Sequence, residues 1–206
     1  MKRICIFCGS SQGKDPIYGK AAEELGKHFS ENQIGLVFGG GRVGLMGIIA
    51  NAVIAAGGQT TGIIPKRIMD MEIAHNGLTK LHVVDTMHER KALMAQLSDG
   101  FIALPGGFGT LDEISEVLTY NQLRYYDKPV GIFNVNGYFD GLLTFLDHCM
   151  DEGFVRPEHR HNILVSDNAR ELIGMMKDYE PVAVNKWIDD IREESASNST
   201  GNLITK

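Results

Sequence analysis

The stretch Leu104-Pro105-Gly106-Gly107-Phe108-Gly109-Thr110-Leu111-Asp112-Glu113 puts three glycines within four positions and a carboxylate just beyond them. The apolar run Gly100-Phe101-Ile102-Ala103-Leu104 before it has the length and flanking glycine of a buried strand. After it, Leu111, Ile114 and Leu118 repeat at helical spacing, so a helix is expected over Leu111 to Arg124. The glycines then fill a strand-to-helix turn. Such a turn lets backbone approach a ligand and aims the free N–H groups of a first helical turn at it, which suits a phosphate. The same residues also satisfy a structural pattern. Thr110 with Glu113 three residues on is a capping box, worth roughly 1 kcal/mol to a helix and implying no chemistry. A cap needs none of the glycines; a backbone pressed against substrate needs several.

Three further stretches carry candidate chemistry. Ser10 and Ser11 follow Cys8-Gly9 at the end of the first apolar run, where they either face a ligand or form a plain turn. Gly39-Gly40-Gly41-Arg42-Val43-Gly44 reads as Gly-x-Gly-x-x-Gly, the dinucleotide fingerprint. It follows the second strand, however, and no Asp or Glu closes the next one at Ile63-Ile64-Pro65 to hold a ribose hydroxyl. Lys66 and Arg67 stand there instead, so a mononucleotide crevice is preferred over a nicotinamide site and no cofactor is expected. In Asp85-Thr86-Met87-His88-Glu89-Arg90-Lys91, two cations near a helix start oppose the helix dipole by about 0.3–1 kcal/mol each when exposed. An anionic ligand reverses that sign; a solvated Glu89-Arg90-Lys91 surface is the other reading. No Walker loop is present, because Gly13-Lys14, Gly19-Lys20 and Gly26-Lys27 are not followed by Ser or Thr. The cluster Glu158-His159-Arg160-His161 lacks metal-ligand spacing, and no G-x-S-x-G elbow occurs.

The elements that position these residues alternate. Strand-like runs at Arg3 to Cys8, Gly35 to Phe38, Gln59 to Ile64, Leu81 to Val84, the central run, Pro129 to Phe133 and Asn162 to Val165 alternate with helical runs. The helices are expected around Ile17 to Glu31, Val43 to Ala56, Met87 to Leu97, Leu111 to Arg124, Phe139 to Glu152 and Ala169 to Lys177, with a polar excursion from Pro65 to Lys80. Repeated β-then-α units build an α/β fold, a mostly parallel sheet with helices on both faces, whose ligands sit beyond the carboxyl ends of the strands. One nucleotide-binding domain is expected over residues 1–192, with a polar, disordered tail over 193–206.

Composition narrows the classes. A formal charge of −6 in 206 residues, with no basic run, argues against a nucleic-acid binder. Val43 to Gly58 is too short to span a bilayer, and the first apolar run is too short for a signal peptide. Three cysteines without an export signal fit free thiols in the cytoplasm. Cys5 and Cys8 form C-x-x-C, but on a strand they point to opposite faces, unlike a redox pair.

The two motifs, Met87-His88-Glu89-Arg90-Lys91 and Leu104 to Glu113, together resemble the paired signature of the LOG ("lonely guy") cytokinin riboside 5′-monophosphate phosphoribohydrolases, and the similarity runs from Cys8-Gly9-Ser10 past Asn162. The resemblance implies a Rossmann-like homodimer that hydrolyses the N-glycosidic bond of adenosine-type 5′-monophosphates. It implies Arg90 and Glu113 as catalytic, and Glu72, Lys91, Gly107, Phe108, Gly109, Thr110 and Thr119 as contacts of the nucleoside monophosphate. Gly106 in the same turn, with Ser10 and Gly41 in the two earlier loops, completes the expected substrate-binding set. Breaking a ribosyl C–N bond builds positive charge on the sugar, which a carboxylate such as Glu113 can stabilise while it orients water. A non-catalytic nucleotide or cofactor carrier on the same scaffold is the alternative, and would not need the Arg90–Glu113 pair.

Overall fold

The computed structural model describes residues 1–71 and 74–181. Seven strands form one sheet in the order β4-β3-β2-β1-β5-β6-β7: β1 Arg3–Phe7, β2 Gly35–Phe38, β3 Thr60–Pro65, β4 Lys80–Val84, β5 Gly100–Ala103, β6 Val130–Phe133 and β7 Ile163–Ser166. Every neighbouring pair is parallel, so the expected mostly parallel sheet is parallel throughout its named strands. The connecting helices are α1 Pro16–Glu31, α2 Gly44–Ala55, α3 Lys66–Met69, α4 Met87–Leu97, α5 Phe108–Gln122, α6 Asp140–Asp151, α7 Pro157–His161 and α8 Ala169–Lys177. The short α3 and α7 have no counterpart in the periodicity, being about one turn each. The tail 193–206 lies outside the described residues.

Alternation along β1 sorts its side chains between two cores. Ile4, Ile6 and Cys8 join Ala22, Leu25 and Phe29 of α1 and Ile49 and Val53 of α2 on one face. Cys5 and Phe7 join Met94 of α4 and Ile114 and Val117 of α5 on the other. Cys5 and Cys8 thus do lie on opposite faces, as period-2 geometry requires.

Helix starts follow local chemistry. Asp15 accepts from the Ile17 amide ahead of Pro16, and Asn168 accepts from Arg170 and Glu171 at the start of α8. Thr86 caps α4 by accepting from the Glu89 amide at 3.1 Å, while the Glu89 carboxylate accepts from the Asp85 amide at 2.9 Å. The Thr-x-x-Glu cap therefore belongs to α4, its acid reaching the amide one residue before the cap. In α5 the helix begins at Phe108 behind Gly107, and Thr110 sits inside the first turn with no side-chain cap. The capping-box reading of Thr110 and Glu113 is corrected on that ground.

Strand order reverses between β1 and β5, the two central strands. Loops after them diverge to opposite faces and leave a crevice at their carboxyl ends. α1 and α2 lie close enough that a Cβ on Gly26 would stand 2.8 Å from Ala52 Cβ and 2.9 Å from the Ile49 carbonyl. Gly26→Val should therefore destabilise the fold by about 1–3 kcal/mol through overpacking. Urea unfolding should show a lower midpoint at unchanged m-value; an unaltered midpoint would refute the tight crossing.

Candidate active site

The crevice at the switch point encloses about 440 Å³ and is lined from β1, β3, the loop after β2, and helices α2 to α5. Of the residues expected at a substrate, Ser10, Gly41, Arg90, Gly107, Phe108, Gly109, Thr110 and Glu113 line it. Glu72 lies outside the described residues. Gly106 stands behind the wall: its carbonyl accepts from the Tyr138 hydroxyl at 2.5 Å, and a Cβ on it would meet the Gly9 amide nitrogen at 2.8 Å. Thr119 lies about three turns along α5, donating to the Ser115 carbonyl and lining a separate cavity beside Leu146 and His159. Lys91 follows Arg90 but points about 100° away around the helix. Its ammonium is taken by Asp112 at 3.1 Å and by Glu116, so it clamps α4 to α5 instead of facing the crevice.

The two glycine clusters behave differently. At the start of α2 the Leu45 amide is bonded to the Gly9 carbonyl at 3.1 Å, and a Cβ on Gly44 would overlap the Ser10 carbonyl. A Cβ on Gly39 would overlap the Arg90 guanidinium. These glycines serve close packing between protein groups. Around α5 the opposite holds: a Cβ on Gly107 or Gly109 would meet nothing within 4 Å. Among the described residues, no protein acceptor is bonded to the amides of Gly107, Phe108, Gly109 or Thr110. Four open N–H groups at a helix N-terminus form an anion seat.

Beside that seat stand a carboxylate and a guanidinium. Glu113 is 8% exposed, and its Oε1 lies 3.8 Å from Nη2 of Arg90. That separation is beyond hydrogen-bonding distance, so the ion pair only partly offsets the loss of water. Burial pushes the Glu113 carboxyl up to about 7, against the lowering effect of Arg90, with Asp112 adding to the rise. The Arg90 side chain is 12% exposed, which excludes the solvated-surface reading. Among the described residues its Nε is buried without a partner, and Nη1 is bonded only to the Met87 sulfur at 3.8 Å. A buried guanidinium so poorly bonded has donors left for an anionic or hydroxylated ligand.

Sequence patterns did not reveal the apolar walls: Ile6, Cys8, Met46, Ile64, Ile68 and Met71 reach the crevice from separate elements. The bridge between Gly41 and Ala74, and the His75 amide bond to the Gly40 carbonyl at 2.9 Å, tie Ala74 and His75 to the glycine loop after β2. Lys66 and Arg67 are exposed on α3. Burial raises the Cys8 thiol well above its usual range, so it stays protonated and is a poor nucleophile. No His, Cys, Asp and Glu group among the described residues could hold a metal ion. No helix among them is long and apolar enough to cross a membrane.

Fold and crevice define a Rossmann-like α/β protein with an acid–guanidinium pair beside a glycine-turn anion seat. Arabidopsis thaliana cytokinin riboside 5′-monophosphate phosphoribohydrolase LOG7 is 51% identical over 180 residues, covering 87% of this chain and 83% of that protein. The Arabidopsis protein LOG5, of the same name, is 49% identical over 90% of this chain and 84% of its own. The family model described as "Possible lysine decarboxylase" matches residues 46–176. The chain belongs to the LOG family of cytokinin riboside 5′-monophosphate phosphoribohydrolases. Among solved structures, the molybdenum cofactor binding protein of Rippkaea orientalis superposes with a TM-score of 0.66 at 24% identity, covering 86% of this chain and 97% of that one. The molybdenum cofactor carrier protein of Chlamydomonas reinhardtii gives 0.64 at 20% identity, covering 85% and 96%. These two share the fold.

The state of Glu113 has a consequence for stability. Its folded pKa of about 7 lies above the ordinary 4.5, so unfolding releases a proton between those values. Stability from this group is complete below pH 4.5 and declines as pH rises to about 7. Glu113→Gln should remove the decline, gaining on the order of 3 kcal/mol over wild type between pH 5 and 8. Urea midpoints at both pH values check this; parallel pH dependence in the two proteins would contradict it.

Proposed function

We propose that this protein hydrolyses the N-glycosidic bond of nucleoside 5′-monophosphates of the cytokinin riboside or adenosine type, giving free base and ribose 5-phosphate. The observation that carries the reading is a buried carboxyl of pKa about 7, next to an under-bonded guanidinium and beside four open amides. The names of relatives at about half identity supply the substrate class.

In this reading the 5′-phosphate sits on the amides of Gly107 to Thr110, and its binding energy orients the sugar. The C1′–N bond lengthens and the ring gains positive charge, which the Glu113 carboxylate stabilises while holding the attacking water. Water gives its oxygen to C1′, and the departing base gains a proton. Arg90 holds Glu113 and contacts the ribose or phosphate. Ser10 and Gly41 line the opposite wall, and Gly106 acts behind it. Lys91 and Thr119 stand outside the crevice lining, so for them, as for Glu72, substrate contact rests on the family resemblance alone.

A pyridoxal phosphate decarboxylase needs a lysine amine facing its cofactor. No lysine lines this crevice among the described residues, and Lys91 is held by two carboxylates. A carrier without turnover shares the fold, yet has no use for a pKa-shifted acid beside a guanidinium. We further infer one domain over 1–192, a cytoplasmic location and a homodimer. Phe108, 93% exposed at the crevice rim, with Leu111 and Met87 also exposed, offers apolar surface for a second copy to cover.

Incubating the protein with AMP should release adenine, and adenosine should be a poor substrate. Glu113→Gln should cut release by about 10²–10⁴-fold while nucleotide binding survives; undiminished release, or equal turnover of adenosine and AMP, would reject the assignment. The ionised carboxylate is the working form, so kcat/KM should fall as pH drops through about 7. A limb near 6, where a phosphate monoester takes its second proton, would belong to the substrate instead.

A further inference from the structure

The Gly106–Gly107 peptide is flanked by glycine on both sides, the pair least able to hold a peptide plane in one orientation by sterics. A peptide is planar and trans, so its C=O and N–H point in opposite directions and fixing one aims the other. The Pro105 carbonyl accepts from the Gly9 amide at 3.0 Å, and the Gly107 carbonyl accepts from the Leu111 amide at 3.1 Å. Between them, the Gly106 carbonyl is bonded by the Tyr138 hydroxyl at 2.5 Å. Tyr138 follows the 3-10 turn Val135–Gly137 after β6, outside the loops that line the crevice. Its ring is held edge-on by Tyr18 at 5.6 Å and by Phe139 at 5.0 Å between centroids. The hydroxyl thus reaches the turn from a ring packed on two sides.

We infer, on the reading that the glycine turn is the phosphate site, that Tyr138 is a positioning residue for the 5′-phosphate. Its hydroxyl holds the Gly106 carbonyl on the side away from the crevice and so aims the Gly107 amide at the phosphate. Without the hydroxyl the Gly–Gly peptide is free to rotate, and in the rotated state it presents a carbonyl to the phosphate where an amide donor stood. The loss then falls on ligands that carry the phosphate and spares those that do not.

Tyr138→Phe keeps the ring and its packing and removes one oxygen, with melting temperature as the control for folding. Loss of one aimed donor should raise KM for AMP by about threefold to tenfold. As competitive inhibitors, ribose 5-phosphate should weaken by the same factor and adenine, which lacks the phosphate, should keep its inhibition constant. Equal weakening of both inhibitors would mark a general disturbance of the site and overturn the inference. So would an unchanged constant for ribose 5-phosphate in the variant. Failure of ribose 5-phosphate to compete in the wild-type protein would sink the phosphate reading itself.

Discussion

The chain has to leave β5 through a turn whose carbonyls are bonded to protein and whose amides are not. The carbonyls of Pro105, Gly106 and Gly107 are taken by Gly9, Tyr138 and Leu111, while the amides from Gly107 to Thr110 stay open among the described residues. The switch between β1 and β5 makes room for that asymmetry, and the glycines remove the side chains that would fill it. α2 starts on the same edge of the sheet after a loop still richer in glycine, yet its Leu45 amide is closed by the Gly9 carbonyl. Two similar glycine loops thus divide the work: one packs the protein, the other leaves an anion seat.

The charges around the seat are set by burial more than by pairing. At 3.8 Å, Arg90 does not return to Glu113 what the loss of water takes away, and the carboxyl titrates near neutrality. A closer, bidentate pair would hold the acid ionised and satisfied, leaving both partners little reason to engage a substrate. Lys91 makes the tighter contacts one position on, with Asp112 and Glu116, and locks α4 and α5 together. The rigid pair flanks the loose one.

The order of strands and helices was legible because each unit alternates period 2 with period 3.6 and turn residues separate them. The β5 turn was legible from glycine density, but the start of α5 was not. Thr110-x-x-Glu113 mimics a cap, but the helix begins two residues earlier, at Phe108, with Gly107 as its flanking residue and Thr110 already inside the first turn. Thr86-x-x-Glu89 carried the same pattern and does cap α4, its acid offsetting the cations that follow. The fingerprint at Gly39 to Gly44 misleads because sequence cannot distinguish a glycine that admits a ligand from one that admits Arg90 or Ser10. Ile64, Ile68, Met71 and Tyr138 carry no local signal, since only the fold gathers them.

The family description as a possible decarboxylase and the relatives' names as phosphoribohydrolases point to different chemistry, and the geometry of Lys91 and Glu113 favours the second. A structure of the Glu113→Gln variant with AMP tests that most directly. The phosphate should rest on the amides of Gly107 to Thr110, with the ribose C1′ within about 4 Å of the substituted side chain. A phosphate bound elsewhere, or a sugar out of reach of that side chain, would contradict the account.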